Sequence, residues 1–430
     1  GISTVALTSP ITQINNIADL IAFRDDVNAG TSYSGVTVSL NNDIDLSSQN
    51  NWTPIGTSSN PFKGTFNGNG KTVSNIKITS SNGYSGLFGN IINSKIYDLN
   101  LGNTAINLTS ASGTINIGGI VGEMSNSTVE NCKVQNINVS VPQYYLYEEK
   151  YKAQAGGAIG VMSNNSTANN IVITQGNVNS SNADYGSAGG IVGIVLNSTI
   201  INCKNGASVT GTYNTGGIAG DLTNSTINNC ESAGKLYGDD SNVGGIVGHV
   251  DRNAVITNNI IKTSNFSNPY GYTGVIVGYL DRDSTIACNI FSTASIQPVG
   301  HVYLARSIIQ AQSCSENANK QVTSVTSAGL NSAGKETVVC SNCGTWYRTI
   351  PAHSAVHKNF QNNAAVAATC TVKGNDAYTL CTDCNKVFDA NGAEIQAIPT
   401  IAMKSHNLGN WSVTTAAAPG VAGKEERKCT

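Results

Sequence analysis

Gly216-Gly-Ile-Ala-Gly220, Gly244-Gly-Ile-Val-Gly248 and Gly274-Val-Ile-Val-Gly278 are consecutive copies of one pattern, and their spacing decides the fold. Earlier in the chain the pattern reads Gly189-Gly-Ile-Val-Gly193, Gly156-Gly-Ala-Ile-Gly160, Gly118-Gly-Ile-Val-Gly122 and Gly86-Leu-Phe-Gly89. The final glycines stand 33, 38, 33, 27, 28 and 30 residues apart. A turn and a short apolar run follow most copies, as in Asn126-Ser-Thr-Val-Glu-Asn-Cys132, Asn197-Ser-Thr-Ile-Ile-Asn-Cys203 and Asn224-Ser-Thr-Ile-Asn-Asn-Cys230. A period near 27–30 carrying short β-branched runs is one coil of a parallel β-helix. A βαβ unit needs an amphipathic helix of about 10–15 residues in each period, and none lies between the glycines. A sandwich would not return the same tripeptide at the same phase. In a solenoid, equivalent positions stack at the ~4.8 Å strand spacing. Ile120, Ile191, Ile218, Ile246 and Ile276 are therefore expected to form one inward column, with turn asparagines hydrogen-bonding from rung to rung. About ten rungs give a length on the order of 50 Å.

Composition agrees. Charged residues make up only 12% of the 430, about half the ~25% of ordinary globular chains. The 40% hydrophobic share and net charge of −2 exclude an expanded disordered chain. With 24 Lys+Arg against 26 Asp+Glu there is no electrostatic footprint for nucleic acid. No apolar run of ~18 residues is present, so no transmembrane segment is expected. The first residues lack a basic, then apolar, leader, so a signal peptide is expected to be already absent.

Residues 1–80 are expected to form an N-terminal cap and the first rungs, shielding the edge that an open stack exposes. Ile17, Leu20, Phe23 and Val27 share one helical face, with Asn15 or Asn16 as N-cap and Gly30 past the end. Strands are expected at 36–40 and 72–78. This helix is followed by Asn42-Asp-Ile-Asp-Leu46, Trp52-Thr-Pro-Ile-Gly56, Pro61-Phe-Lys-Gly-Thr-Phe-Asn-Gly-Asn-Gly70 and Gly86-Leu-Phe-Gly89. Over roughly residues 15–290 that combination resembles the GLUG-motif bacterial surface proteins, whose repeats build adhesin-like β-helices and also flank the catalytic part of immunoglobulin-A-cleaving metallopeptidases. The resemblance implies an extracellular or cell-surface location and a stalk or binding region. The peptidase chemistry does not carry over with it, because His-Glu-x-x-His is absent from the sequence.

The expected architecture is thus an all-β, right-handed parallel β-helix over 81–310, a polar linker over 311–337, and tandem Cys-x-x-Cys repeats over 338–430. Cys381-Thr-Asp-Cys384 repeats Cys340-Ser-Asn-Cys343 at a distance of 41 residues. Each pair is followed by an Ile-Pro, a His and a Gly, and Cys429 falls where a third pair would open, so this module is expected to be truncated. The unit resembles small repeats at the C-terminal ends of large bacterial surface proteins. Cys340, Cys343, Cys381 and Cys384 suit tetrahedral zinc or disulfides, with free thiols as a third state. His353, His357 and His406 are candidates to complete a metal site. Apart from that zinc, no cofactor is expected. Cys132, Cys203 and Cys230 share one repeat phase and read as small buried residues, with a Cys203–Cys230 bridge the alternative.

No catalytic arrangement can be placed, and the chain reads as an adhesin-like or structural surface protein and not an enzyme. The alternatives are a self-assembling filament or surface-layer subunit, and a polysaccharide-acting enzyme. For the last, Asp251-Arg252 and Asp281-Arg282-Asp283 stack on adjacent rungs, but they read better as an alternating-charge turn ladder. The insertion between the second and third copies carries Tyr144, Tyr145, Tyr147 and Tyr151, which are expected to bind the ligand. The expected partners are a glycan or protein of a host or neighbouring cell, with homotypic self-association as a further possibility.

Overall fold

The computed structural model describes residues 10–428 apart from 82, 111, 143–150, 184, 239–240, 264, 288, 292–295, 304–308, 311–319, 333, 341–343, 351 and 358. The chain divides into two compact units, Gly1–Lys320 with Cys340–Gly344, and Gln321–Val339 with Thr345–Thr430.

The first unit is a parallel β-solenoid of about nine turns. Each repeat contributes one strand to a seven-stranded parallel sheet, which runs from Tyr84–Ser85 to Tyr272–Gly274. A second strand goes to an eight-stranded parallel sheet running from Phe88–Ile92 to Val299–Val302. Further short strands of every repeat join a long composite sheet. The Gly-Gly-Ile-Val-Gly pattern is the corner between the first two sheets: Asn214–Gly216 ends on its first glycine and Ala219–Thr223 begins at its fourth residue. A Cβ on Gly216 would lie 1.7 Å from the Ala219 carbonyl oxygen, and one on Gly244 would lie 1.8 Å from that of Val247. The corner is too tight for any side chain there. The last glycine meets the neighbouring sheet, since a Cβ on Gly248 would lie 2.5 Å from the Thr215 nitrogen.

Rungs stack through the corner as expected. Ile191 N–H donates to Ile218 O (3.0 Å), Ile218 to Ile246 (2.9 Å) and Ile246 to Ile276 (2.9 Å). All five column isoleucines are buried. Two columns of left-handed asparagines mark the other turns, among them Asn126, Asn197, Asn224 and Asn253 in one, and Asn131, Asn170, Asn202 and Asn229 in the other. Asn tolerates that conformation, and its amide then reaches the next rung, as in Asn253 Nδ2 to Asn224 Oδ1 at 2.9 Å and Asn229 Nδ2 to Asn202 Oδ1 at 2.8 Å. The serine of Asn-Ser-Thr solves a third problem. Its Oγ turns inward and accepts the backbone N–H of the rung before it: Ser94 to Ser127, Ser127 to Ser166, Ser166 to Ser198 and Ser198 to Ser225, at 3.0–3.2 Å.

The N-terminal helix, Ile17–Asn28, buries Leu20, Phe23 and Val27, and Asn16 caps it by accepting from Asp19 N at 3.0 Å. Phe23 packs on Tyr33, Phe62 and Phe66. Trp52 and Ile55 are buried too, and the Trp52 indole donates to Leu87 O at 3.1 Å. The expected 72–78 strand is two strands, Thr72–Ser74 and Ile76–Ile78, because Asn75 turns left-handed between them (φ 59°).

The second unit contains an antiparallel sheet with the order Phe360–Asn363, Tyr378–Cys381, Val387–Asp389, Glu394–Ile395. The segment 311–337, expected to be a linker, carries the strand Lys320–Thr326 and the start of Gly334–Cys340.

Ile218→Asp places a charge in the dry column and is expected to cost on the order of 3–5 kcal/mol. Ser198→Ala leaves the buried Ser166 N–H without an acceptor and is expected to cost about 1–3 kcal/mol. Urea denaturation of the full chain followed by circular dichroism checks both; an unchanged midpoint for either places that side chain outside the stack.

Candidate metal centre

The strand Tyr378–Cys381 delivers Cys381 to a reversal that returns as Val387–Asp389. Cys381 N–H donates to Lys386 O and Asn385 N–H to Cys381 O, both at 2.8 Å, and Asn385 is left-handed (φ 61°). This tight turn points the backbone N–H groups of Asp383 and Cys384 at the Cys381 sulfur. On its other side the strand pairs with Phe360–Asn363, Cys381 opposite Phe360. The single helical turn His353–Val356 lies just before that partner strand. His357 N–H bonds back to His353 O at 2.9 Å, so the two imidazoles fall on one side, ring centres 4.5 Å apart and nearly parallel.

The result is a cluster of His353, His357, Cys381 and Cys384 whose ligand atoms all lie within 4.8 Å of one another. Cys384 Sγ is 3.4 Å from His353 Nε2. His357 Nδ1 is buried without a hydrogen-bond partner, its nearest carboxylate oxygen being Asp383 Oδ2 at 3.7 Å. Burial, then the neighbouring His357 and Lys386, hold the His353 imidazole down to about 4. A neutral imidazole is the form that binds metal. Burial also pushes the Cys381 thiol up to about 11, which a bound dication would reverse by stabilising the thiolate. Two sulfurs and two imidazoles at Cys-x2-Cys and His-x3-His spacing form a donor set that could hold a tetrahedral metal ion.

The sequence joined Cys381 and Cys384 to Cys340 and Cys343; the structure joins them to His353 and His357. Cys343 lies outside the described residues, and Cys340 ends the strand Gly334–Cys340. Cys381 and Cys384 are free thiols, and His406 is exposed outside the cluster.

In the solenoid, Cys132, Cys203 and Cys230 are buried free thiols, so the Cys203–Cys230 bridge is not formed. Cys230 Sγ instead accepts the Cys203 backbone N–H at 3.4 Å, as Asn259 Oδ1 accepts that of Cys230 at 2.8 Å. Burial pushes the Cys132 thiol up to about 12. Arg252 pairs with its own neighbour Asp251 at 2.8 Å.

Tyr144, Tyr145 and Tyr147 lie outside the described residues. The expectation that Tyr151 meets a ligand is corrected. Tyr151 opens the strand Tyr151–Gly156, is only 3% exposed, and its hydroxyl donates to Pro142 O. Register with Gly113 turns the ring inward, and burial raises the phenol to about 12.

A parallel β-solenoid with a separate Cys/His unit is the class that these features define. Solved structures similar to it include the following two. One is of a protein from Bacteroides ovatus proposed to be an immunoglobulin A1 protease, 20% identical over 69% of this chain and 84% of that one, with a TM-score of 0.43. The other is called IgA1 protease, at 15% identity and a TM-score of 0.35; the match covers 72% of this chain and 23% of that one. Both names are those of a protease, and the expectation that this chain is not an enzyme is withdrawn on that finding. No protein-family model and no curated protein matches the chain. Among the described residues, no helix is long and apolar enough to cross a membrane.

The buried thiols give a direct check. Iodoacetamide treatment of the native full chain, followed by peptide mass spectrometry, should leave Cys132, Cys203 and Cys230 unmodified and alkylate Cys384 when chelator is present. Rapid labelling of Cys203 under native conditions would contradict its place in the stack.

Proposed function

We propose that this chain is a secreted or cell-surface β-solenoid that serves attachment, its ligand a glycan or protein of a host or neighbouring cell. The observation that carries the reading is the stack itself. About nine turns of chain support one another through internal ladders of Ile, Ser and Asn. That arrangement leaves a long outer surface of Asn, Ser, Thr and Tyr with few charges, in a chain where charged residues are only 12%. Such a surface offers many hydrogen-bonding groups at low desolvation cost, and repeated weak contacts add through multivalency. The resemblance to GLUG-motif surface proteins supports the same reading, and Tyr144, Tyr145 and Tyr147 remain its candidate contact residues.

We infer in addition that the Cys/His cluster holds a structural zinc ion. Cys381 is buried with Val387 and Phe388 in the second unit, and the His353 ring lies 4.7 Å from that of Phe388. The four ligand atoms lie within 4.8 Å of one another, and thiolate with imidazole suits zinc above the harder divalent ions.

Fluorescently labelled full chain should bind epithelial or bacterial cells saturably, with sedimentation velocity showing a monomer. Absence of saturable binding to every cell type overturns the attachment reading, and concentration-dependent assembly favours the filament alternative. For the metal, plasma mass spectrometry of purified full chain should find about one zinc per chain, the expected occupancy of a closed tetrahedral site. His357→Ala or Cys384→Ser should abolish it and make residues 345–428 sensitive to trypsin, while the solenoid's melting is unchanged. Full zinc retention in both variants would exclude this site.

A further inference from the structure

The corner between the seven- and eight-stranded sheets is re-entrant on its outer side, so residues seven apart in sequence touch across it. Asn116 Nδ2 donates to Glu123 Oε2 at 2.7 Å, Asn214 Nδ2 to Asp221 Oδ2 at 3.1 Å, and the rings of Tyr272 and Tyr279 lie 5.6 Å apart. Two columns that point away from the isoleucine core therefore face each other along the stack, and Asn116, Val161, Ser187 and Asn214 are buried where they meet. One runs Asn116, Gln154, Ser187, Asn214, Asn242, Tyr272. The other runs Glu123, Val161, Ile194, Asp221, His249, Tyr279, His301.

Over its last rungs this seam changes character. Tyr272 stacks on His301 at 4.4 Å, and Tyr279 lies 4.9 Å from His301 and 5.6 Å from His249. Tyr185 and Tyr213 form a second exposed pair at 5.6 Å. Tyr185, Tyr213 and Tyr272 are 45–51% exposed, and Tyr303 is 63% exposed. Between the rings runs a preset polar chain: Asn242 Nδ2 to Asn214 Oδ1 at 2.9 Å, Asn214 to Asp221, and Asp221 to His249 Nδ1 at 3.1 Å. Burial pulls the His249 imidazole down, but the hydrogen bond and charge of Asp221, with Asp281 and Asp251, outweigh it and raise the group.

We propose that this seam is a binding site for a neutral oligosaccharide, its sugar rings lying on the tyrosine faces and its hydroxyls meeting the Asp221–His249–Asn242 chain. A pyranose presents an apolar C–H face and a hydroxyl rim, and the seam presents the complement. Exposed tyrosine offers a flat apolar body and a polar tip, and partly buried amide, carboxylate and imidazole offer both donors and acceptors. Among the described residues of these rungs the exposed aliphatic residue is Val302, which pairs with Leu280 on the strand face opposite His301, so the seam itself lacks the exposed aliphatic side chains that an apolar peptide groove would need. The three aspartates that act on His249 disfavour an anionic chain. No repeat signal marks the seam, because its residues change from copy to copy while the corner glycines stay.

The proposal rests on the attachment reading for its biological sense, but its test is separate. Isothermal titration of the full chain with cellohexaose, chitohexaose and mannohexaose should show at least one binding, and hyaluronan hexasaccharide should not bind. Tyr272→Ala/Tyr279→Ala should weaken that binding at least about tenfold, the loss of one or two ring contacts. His249→Gln should weaken it with unaltered melting, which guards against a folding defect. The proposal is overturned if no neutral hexasaccharide binds, if the seam variant binds as well as the parent, or if hyaluronan binds best. It is overturned too if the parent is a dimer that the seam variant makes monomeric, because a second copy then covers the seam. Cells that bind the parent and the seam variant alike, with hexasaccharide binding lost, support the seam and move attachment elsewhere.

Discussion

The fold depends on how closely one backbone can turn on itself at the Gly-Gly-Ile-Val-Gly corner. The first glycine of the corner has a carbonyl oxygen where a Cβ would stand, 1.7–1.9 Å away in five of the copies. Any substitution would open the corner, separate the two sheets and pull the column isoleucine away from its neighbours. The last glycine lets the adjoining sheet approach to backbone contact. Close packing at the corner thus sets the rung shape, and the rung shape sets every ladder above and below it.

A stack of this kind faces a polar problem before an apolar one. Each turn interrupts the sheet and strands backbone N–H groups in the interior, where an unmet donor is expensive. The chain answers with side chains of fixed kind: serine Oγ at one turn, and cysteine sulfur or asparagine Oδ1 at another. Cys203, Cys230, Asn259 and Asn289 occupy equivalent places, each accepting the N–H of the rung before it. The cysteines are therefore acceptors in a ladder. Sulfur fills the space with less polarity, and asparagine takes over towards the last rungs, where Asn259 also donates to Asn289 at 2.9 Å.

The second unit is built differently. In the sheet that begins with Phe360–Asn363 the strands are two to four residues long, and beside them His353, His357, Cys381 and Cys384 come together. His357 Nδ1 is buried without a hydrogen-bond partner, next to side chains that could hold a metal ion with it.

The solenoid was legible in the chain because its constraints are local and recur. Glycine at the corner, asparagine at the left-handed turns and serine at the buried N–H are each demanded by the backbone within a few residues, so the period repeats them and a reader can count it. The helix at 17–28 was equally plain from its face and cap. The side to which Tyr151 points was not: an insertion breaks the phase, and one residue of register reverses a strand's faces. The Cys/His cluster needed the tertiary structure because its halves stand about 30 residues apart and only the antiparallel pairing of Phe360 with Cys381 brings them together. The tyrosine seam needed it too. Which two outward columns face each other is decided by the angle at which two sheets meet, and that angle is a property of the stacked corners that no single repeat contains.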